Sequence, residues 1–153
     1  MREVSLLDQL RDLHERTCTA ALEMERLTAA TSADPRLLPG ARLQLARLSR
    51  LRTTLLDQTI YPMLLARLGS VDAETLYRLR DERMGVARIA SEHTGYWTPE
   101  RVTADWAGYQ RACVGMFAAI RARVEAERAA LYPLIEKATA LARSDGTSTA
   151  KAA

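Results

Sequence analysis

The stretch RVEAERAALYPLIEKA, residues 123–138, decides the fold. Its apolar residues return at three- and four-residue steps, Val124, Leu131 and Leu134 among them, which is the period of a helix with one buried face. Arg123 and Glu127, one turn apart, fall in line with that face and bracket Val124. Charges in the seam of a long helix need an explanation from the interior they point into. Followed upstream, the same period takes in Tyr109, Cys113, Met116 and Ile120, so the spacing predicts a last helix from about Tyr109 to Leu141.

Three further helices precede it. Ser5 and Asp8 form an S-x-x-D start, and Leu6, Leu10, Leu13, Thr17, Ala20, Met24 and Leu27 carry a seam to about Ala30. Pro35, Pro39 and Gly40 break the pattern. A second helix spans roughly residues 41–67, with Leu45, Leu48, Leu55 and Leu56 inside, a kink at Pro62 and a stop at Gly69 and Ser70. The third runs from about Asp72 to Glu92, with Leu76, Leu79, Val86 and Ala90 on one face. An irregular corner follows, in which Thr98-Pro99-Glu100 starts a short helix and Asp105 caps the last one. No strand-like alternation and no internal repeat occurs. The chain is therefore all-α, and long amphipathic helices on short loops predict an up-down-up-down antiparallel four-helix bundle over residues 1–142, with a flexible C-terminal tail at 143–153.

Bulk properties narrow the function classes. A chain of 153 residues, 48% hydrophobic and 27% charged, builds one core without disulfides. Cys18 and Cys113 fall on apolar helix faces and read as reduced core thiols, too far apart in sequence for a cysteine zinc motif. There is no apolar run of membrane-span length and no secretory leader in MREVSLLDQLRDLHER, so the expected location is cytoplasmic, with no membrane partner. The formal charge is +3, but the arginines are mixed with acids along every helix rather than gathered in a stripe, which argues against nucleic acid. No Gly-rich phosphate loop, nucleophile elbow or Cys/His metal spacing is present. Glu125 and Glu127 do not share a helix face, so they do not form a glycosidase-like carboxylate pair.

The interior, in contrast, is unusually polar. His14 lies one turn from Leu10 and Cys18 on the first helix. Arg52 falls between Leu48 and Leu55 on the second, and Arg83 between Leu79 and Val86 on the third. With a rise of about 1.5 Å per residue, His14, Arg52, Arg83 and the Arg123–Glu127 pair reach one level of an antiparallel bundle, with Asp57 or Glu82 as further counter-charges. His93 falls in another layer, beside Trp97, and has no evident partner. Trp97, Trp106, Tyr109 and Phe117 read as core packing.

LRTTLLDQTIYPMLL (51–65) and RARVEAERAALYPLI (121–135) both resemble the H-x-x-x-E-(D/E)-x-x-(L/V)-(Y/F)-P-x-L pattern of the hemerythrin-like, HHE cation-binding family, and His14 in RDLHERT resembles that family's first-helix histidine. The resemblance spans roughly residues 5–138 and implies the same bundle with a di-iron centre held by histidines and two carboxylates. Carried onto this chain, the second-helix histidine position holds Arg52 and its glutamate position Leu56, followed by Asp57. The third-helix histidine position holds Arg83, and the fourth holds Arg123, while Glu127 keeps the glutamate. A guanidinium has no lone pair to give a metal.

The expectation is a bacterial-looking, metal-free, cofactor-free hemerythrin-like domain that is not an enzyme and has lost its di-iron site. It would act as a regulatory or stress-related interaction module through a partner protein or self-association. His14, Arg52, Asp57, Arg83, Arg123 and Glu127 would then form a salt-bridge network in the former metal site, with Arg123 and Glu127 as a pair. Two alternatives stay open: an oxygen- or iron-binding sensor or carrier using His14, Glu127 and Asp57, and a small-anion or nucleotide pocket made by the interior arginines.

Overall fold

The computed structural model describes the backbone of residues 3–151 and the side chains of residues 3–146. Among the described residues the chain is helical and contains no strand. Helix α1 covers Leu6–Thr28 and α2 Leu38–Leu55. A π-helical turn at Leu56–Ile60 leads into α3, Tyr61–Arg67. The long α4, Ser70–Tyr96, is followed by the short α5, Pro99–Ala104, and α6, Trp106–Cys113. Helix α7, Met116–Lys151, is the last of the described elements. Helix α1 packs against α2 and α7, and α7 also packs against α3 and α4.

Local chemistry sets most boundaries. Ser5 Oγ accepts from Asp8 N at 3.1 Å, Thr98 Oγ1 accepts from Arg101 N at 3.3 Å, and Asp105 Oδ1 accepts from Gly108 N at 2.8 Å, each occupying an amide that the first helical turn leaves free. Pro39 and Gly40 do not end a loop, as the sequence suggested, but sit in the first turn of α2, where proline has no hydrogen bond to lose.

The kink expected at Pro62 is a π turn: Tyr61 N donates to Leu56 O across five residues. Proline offers no amide and its ring crowds the carbonyl four residues earlier, and widening the preceding turn absorbs both defects. The single last helix expected from Tyr109 is divided. Gly115 takes φ 81°, which non-glycine residues rarely adopt, and the turn there separates α6 from α7. At the other end α7 continues through the expected stop near Leu141 and the expected tail as far as Lys151, over a segment with no proline to end it.

The seams differ from the predicted ones in detail. Helix α1 buries Leu10, His14, Thr17, Ala21, Met24 and Leu27, so His14 and Ala21 take the places expected for Leu13 and Ala20. Helix α4 buries Leu76, Leu79 and Arg83 but leaves Val86 and Ala90 only half-buried, because its second half stands off from α2 across a cleft of about 590 Å³.

The apolar core is in two parts. One cluster, at the α5–α6 end, includes Met24, Leu27, Leu45, Trp97, Tyr109, Phe117 and Ile120. The other, at the α3 end, includes Leu10, Leu56, Ile60, Leu64, Leu76, Leu131 and Ile135. On α1, α2 and α7 the buried residues between the two are His14, Arg52, Arg123 and Glu127, together with Thr17, Leu48 and Val124.

Candidate functional site

Four helices bring these charges together. Glu127 of α7 has no exposed surface, and its Oε2 lies 2.8 Å from Nε2 of His14 on α1 and 3.5 Å from Nε of Arg52 on α2. A carboxylate only accepts, so His14 donates from Nε2. The other ring nitrogen, Nδ1, is 2.7 Å from the Tyr132 hydroxyl. Arg123 donates from Nη1 to Glu82 Oε2 of α4 at 2.9 Å, while its Nε is 3.9 Å from Glu127 Oε1. Arg83 donates from Nη2 to both oxygens of Asp57, at 2.6 and 2.8 Å.

Three buried guanidiniums thus face three carboxylates, but the balance is uneven in depth. Glu127 is fully buried, whereas the side chains of Asp57 and Glu82 are 38% and 52% exposed. The outer carboxylates hold Arg83 and Arg123 by one edge each. Several inner polar atoms have no hydrogen-bond partner in the protein: Nε and Nη1 of Arg52, Nε and Nη2 of Arg123, Nε of Arg83, the Tyr61 hydroxyl and Oε1 of Glu127. Burial raises the Tyr61 pKa to about 12, assisted by Glu127 and opposed by Arg83 and Arg123, so Tyr61 is a protonated donor at neutral pH. The Arg123 hydrogen bond lowers the Glu82 pKa against a smaller effect of burial, keeping that carboxylate ionised.

All six residues singled out in the sequence lie in or at the rim of this layer. Their pairing differs from the expectation in one respect. Arg123 and Glu127 are not each other's main partners: rotamers that point both inward leave them 3.9 Å apart, and Arg123 reaches across to Glu82 while Glu127 bonds His14. Tyr61 and Tyr132 were read only as parts of the Tyr-Pro segments, although both hydroxyls belong to the site. The signal was their nearness in sequence to Asp57 and Glu127, four and five residues on.

Whether the layer suits a di-iron centre follows from its donors. Arg52, Arg83 and Arg123 have no lone pairs, and their charges repel a cation from His14 and Glu127, which already bond each other. No group of three or more His, Cys, Asp or Glu side chains among the described residues is placed to hold a metal ion. The residues present do not fit a di-iron centre.

A second polar cluster lies in the α5–α6 half. His93 stacks on Tyr109 with ring centroids 5.7 Å apart, and its Nε2 is 3.7 Å from Cys113 Sγ, so it has the partners that the sequence did not reveal. Both cysteines are free thiols. Burial, with a smaller effect from Arg42, lowers the His93 pKa below its ordinary 6.5. A histidine lowered in this way favours the fold above the unfolded pKa, and this contribution fades as pH falls toward the folded value. The expected result is a stability that declines as pH drops below about 6.5, and a His93→Gln variant whose urea midpoint declines less over the same window. Equal declines would mean that other groups carry the acid sensitivity.

Comparison of the chain with protein-family models, with curated proteins and with solved structures finds no match. No helix among the described residues is long and apolar enough to cross a membrane.

Proposed function

We propose that the chain is a hemerythrin-like, up-down-up-down four-helix bundle in which an arginine network occupies the place of a di-iron centre, and that it acts by binding and not by catalysis. The observation that carries this reading is the meeting of His14, Arg52, Arg123 and Glu127, from three helices, at the level where the resemblance puts metal ligands. A bundle that keeps the histidine and carboxylate of two positions while placing guanidiniums at three others and Leu56 at the remaining glutamate position retains the architecture without the chemistry of iron.

The same reading makes it a cytoplasmic regulatory or stress-related module that works through contact with another protein. Val71, Tyr77, Met84, Ile89 and Tyr96 expose large apolar surface along α4 and suit such a contact.

The decisive experiment is iron stoichiometry after anaerobic incubation with ferrous iron, desalting and elemental analysis. The expected result is no retained iron and no charge-transfer absorption on exposure to oxygen. Two irons per chain would overturn the proposal and favour an oxygen- or iron-sensing role through His14, Glu127 and Asp57.

A further inference from the structure

The buried layer contains more unused hydrogen-bonding capacity than an ion network needs, and its arrangement is specific. In arginine, Nε and Nη2 lie on one edge of the guanidinium plane and point the same way, matching two oxygens of an oxyanion. Arg123 has that edge unpartnered, with its Nη1 turned away to Glu82. Arg52, only 5% exposed, approaches Glu127 at 3.5 Å from Nε but has both Nε and Nη1 unpartnered. The Tyr61 hydroxyl is a further buried unpartnered group and feels the charges of Glu127, Arg83 and Arg123.

Among these donors is one unused acceptor. Oε1 of Glu127 accepts no hydrogen bond, while Oε2 of the same carboxylate faces His14 and Arg52. Oε1 lies 3.9 Å from the Nε of Arg123, beside the free edge. A ligand that satisfies this arrangement presents two acceptor oxygens to the guanidinium edge and one O–H to Oε1. Sulfate-like or nitrate-like anions have only acceptors and leave a carboxylate facing a second negative group.

We propose that the layer is a binding site for a small oxyanion that carries one proton, of the hydrogencarbonate or hydrogenphosphate type, held by Arg123 and Arg52 and donating its own hydrogen bond to Glu127. The donors are enclosed, so the ligand is small. A cleft of about 540 Å³ whose lining includes Asp57, Tyr61, Arg80 and Arg83 borders the layer on the side of Tyr61 and Arg83. Arg83 and Tyr61 belong both to that lining and to the buried layer, and Arg80 adds a positive charge at the cleft. The inference rests on the reading that iron does not occupy the layer.

The test is the unfolding midpoint of the full chain, treated with chelator and checked to be iron-free, at rising hydrogencarbonate, inorganic phosphate or nitrate and constant ionic strength. A ligand of the native state raises the midpoint with the logarithm of its concentration. Hydrogencarbonate or phosphate is expected to do so, and nitrate is not. Tyr61→Phe, which removes one hydroxyl and keeps the ring, is expected to weaken the response about tenfold in apparent Kd, the size of a lost hydrogen bond to a charged group. Arg123→Met is expected to abolish it, with circular dichroism in the absence of anion verifying the fold.

A flat response to both protonated anions on iron-free protein overturns the site and leaves the metal-free bundle standing. Iron retained after desalting overturns the bundle reading instead. Nitrate acting as strongly as hydrogencarbonate, or an unchanged response in Arg123→Met, also overturns the proposal, as a general salt effect.

Discussion

Replacing Glu127 with leucine is expected to destabilise the fold by about 3–5 kcal/mol. Glu127 is the one carboxylate of the described layer that is fully buried, and His14, Arg52 and Arg123 all lie within 3.9 Å of its two oxygens. Without it, two guanidiniums only 5% and 7% exposed face each other's charge with no counter-ion at that depth. A loss of this size is a large part of the roughly 5–15 kcal/mol by which domains are stable. Urea unfolding measures it directly, as a lower midpoint at an unchanged slope. A change under about 1 kcal/mol would mean that water reaches the layer freely and that the charges are screened like surface ones.

The reverse outcome is expected when the whole inner network is replaced. Combining His14→Leu, Arg52→Met, Arg123→Met and Glu127→Leu should raise stability by roughly 1–4 kcal/mol, because apolar side chains of similar volume avoid the desolvation that buried ions suffer. The remaining partners tolerate the change: Glu82 is half exposed, and the Tyr132 hydroxyl, half-buried, can turn to water. The two apolar clusters would then become continuous. The same variant should lose any response to hydrogencarbonate. If it instead proved less stable than the native chain in anion-free buffer, the hydrogen bonds of His14 and Arg123 would have to outweigh the cost of burying their charges.

These expectations use positions that the sequence already marked. His14, Arg52, Arg83, Arg123 and Glu127 were legible because each interrupts an apolar helical stripe, and a constant rise per residue turns sequence position into height. Their pairing was not legible. Whether Arg123 turns to Glu127 on its own helix or to Glu82 on another is a choice among rotamers of a long side chain, made by the packing around it.

The Tyr61 and Tyr132 hydroxyls were hidden for a similar reason, since a tyrosine in an apolar stripe reads as core whether or not its tip is used. Backbone details were legible in part. Pro62 marked an irregularity but not its π form, and Gly115 stood inside a pattern that looked continuous because Cys113, Met116 and Ile120 kept helical spacing across it. The half-open second half of α4 had no sequence signal, because Val86 and Ala90 have the right period for a seam that α2 does not close.

The division of the core by a charged layer also fixes how the helices align along their length. Leucine and alanine stripes are permissive: a helix could slide by one turn, about 5.4 Å, and still find apolar neighbours. Here such a slide toward the α3 end would carry Arg52 to the level of Leu10 and Leu131, each one turn from His14 and Glu127, and strip it of Glu127. The layer therefore acts as a registration mark, penalising every alignment but one, as a single buried polar residue does in a coiled coil. A fully apolar interior would gain stability and give up that selectivity, so the variant most resistant to urea is also the one most prone to occupy several helix alignments.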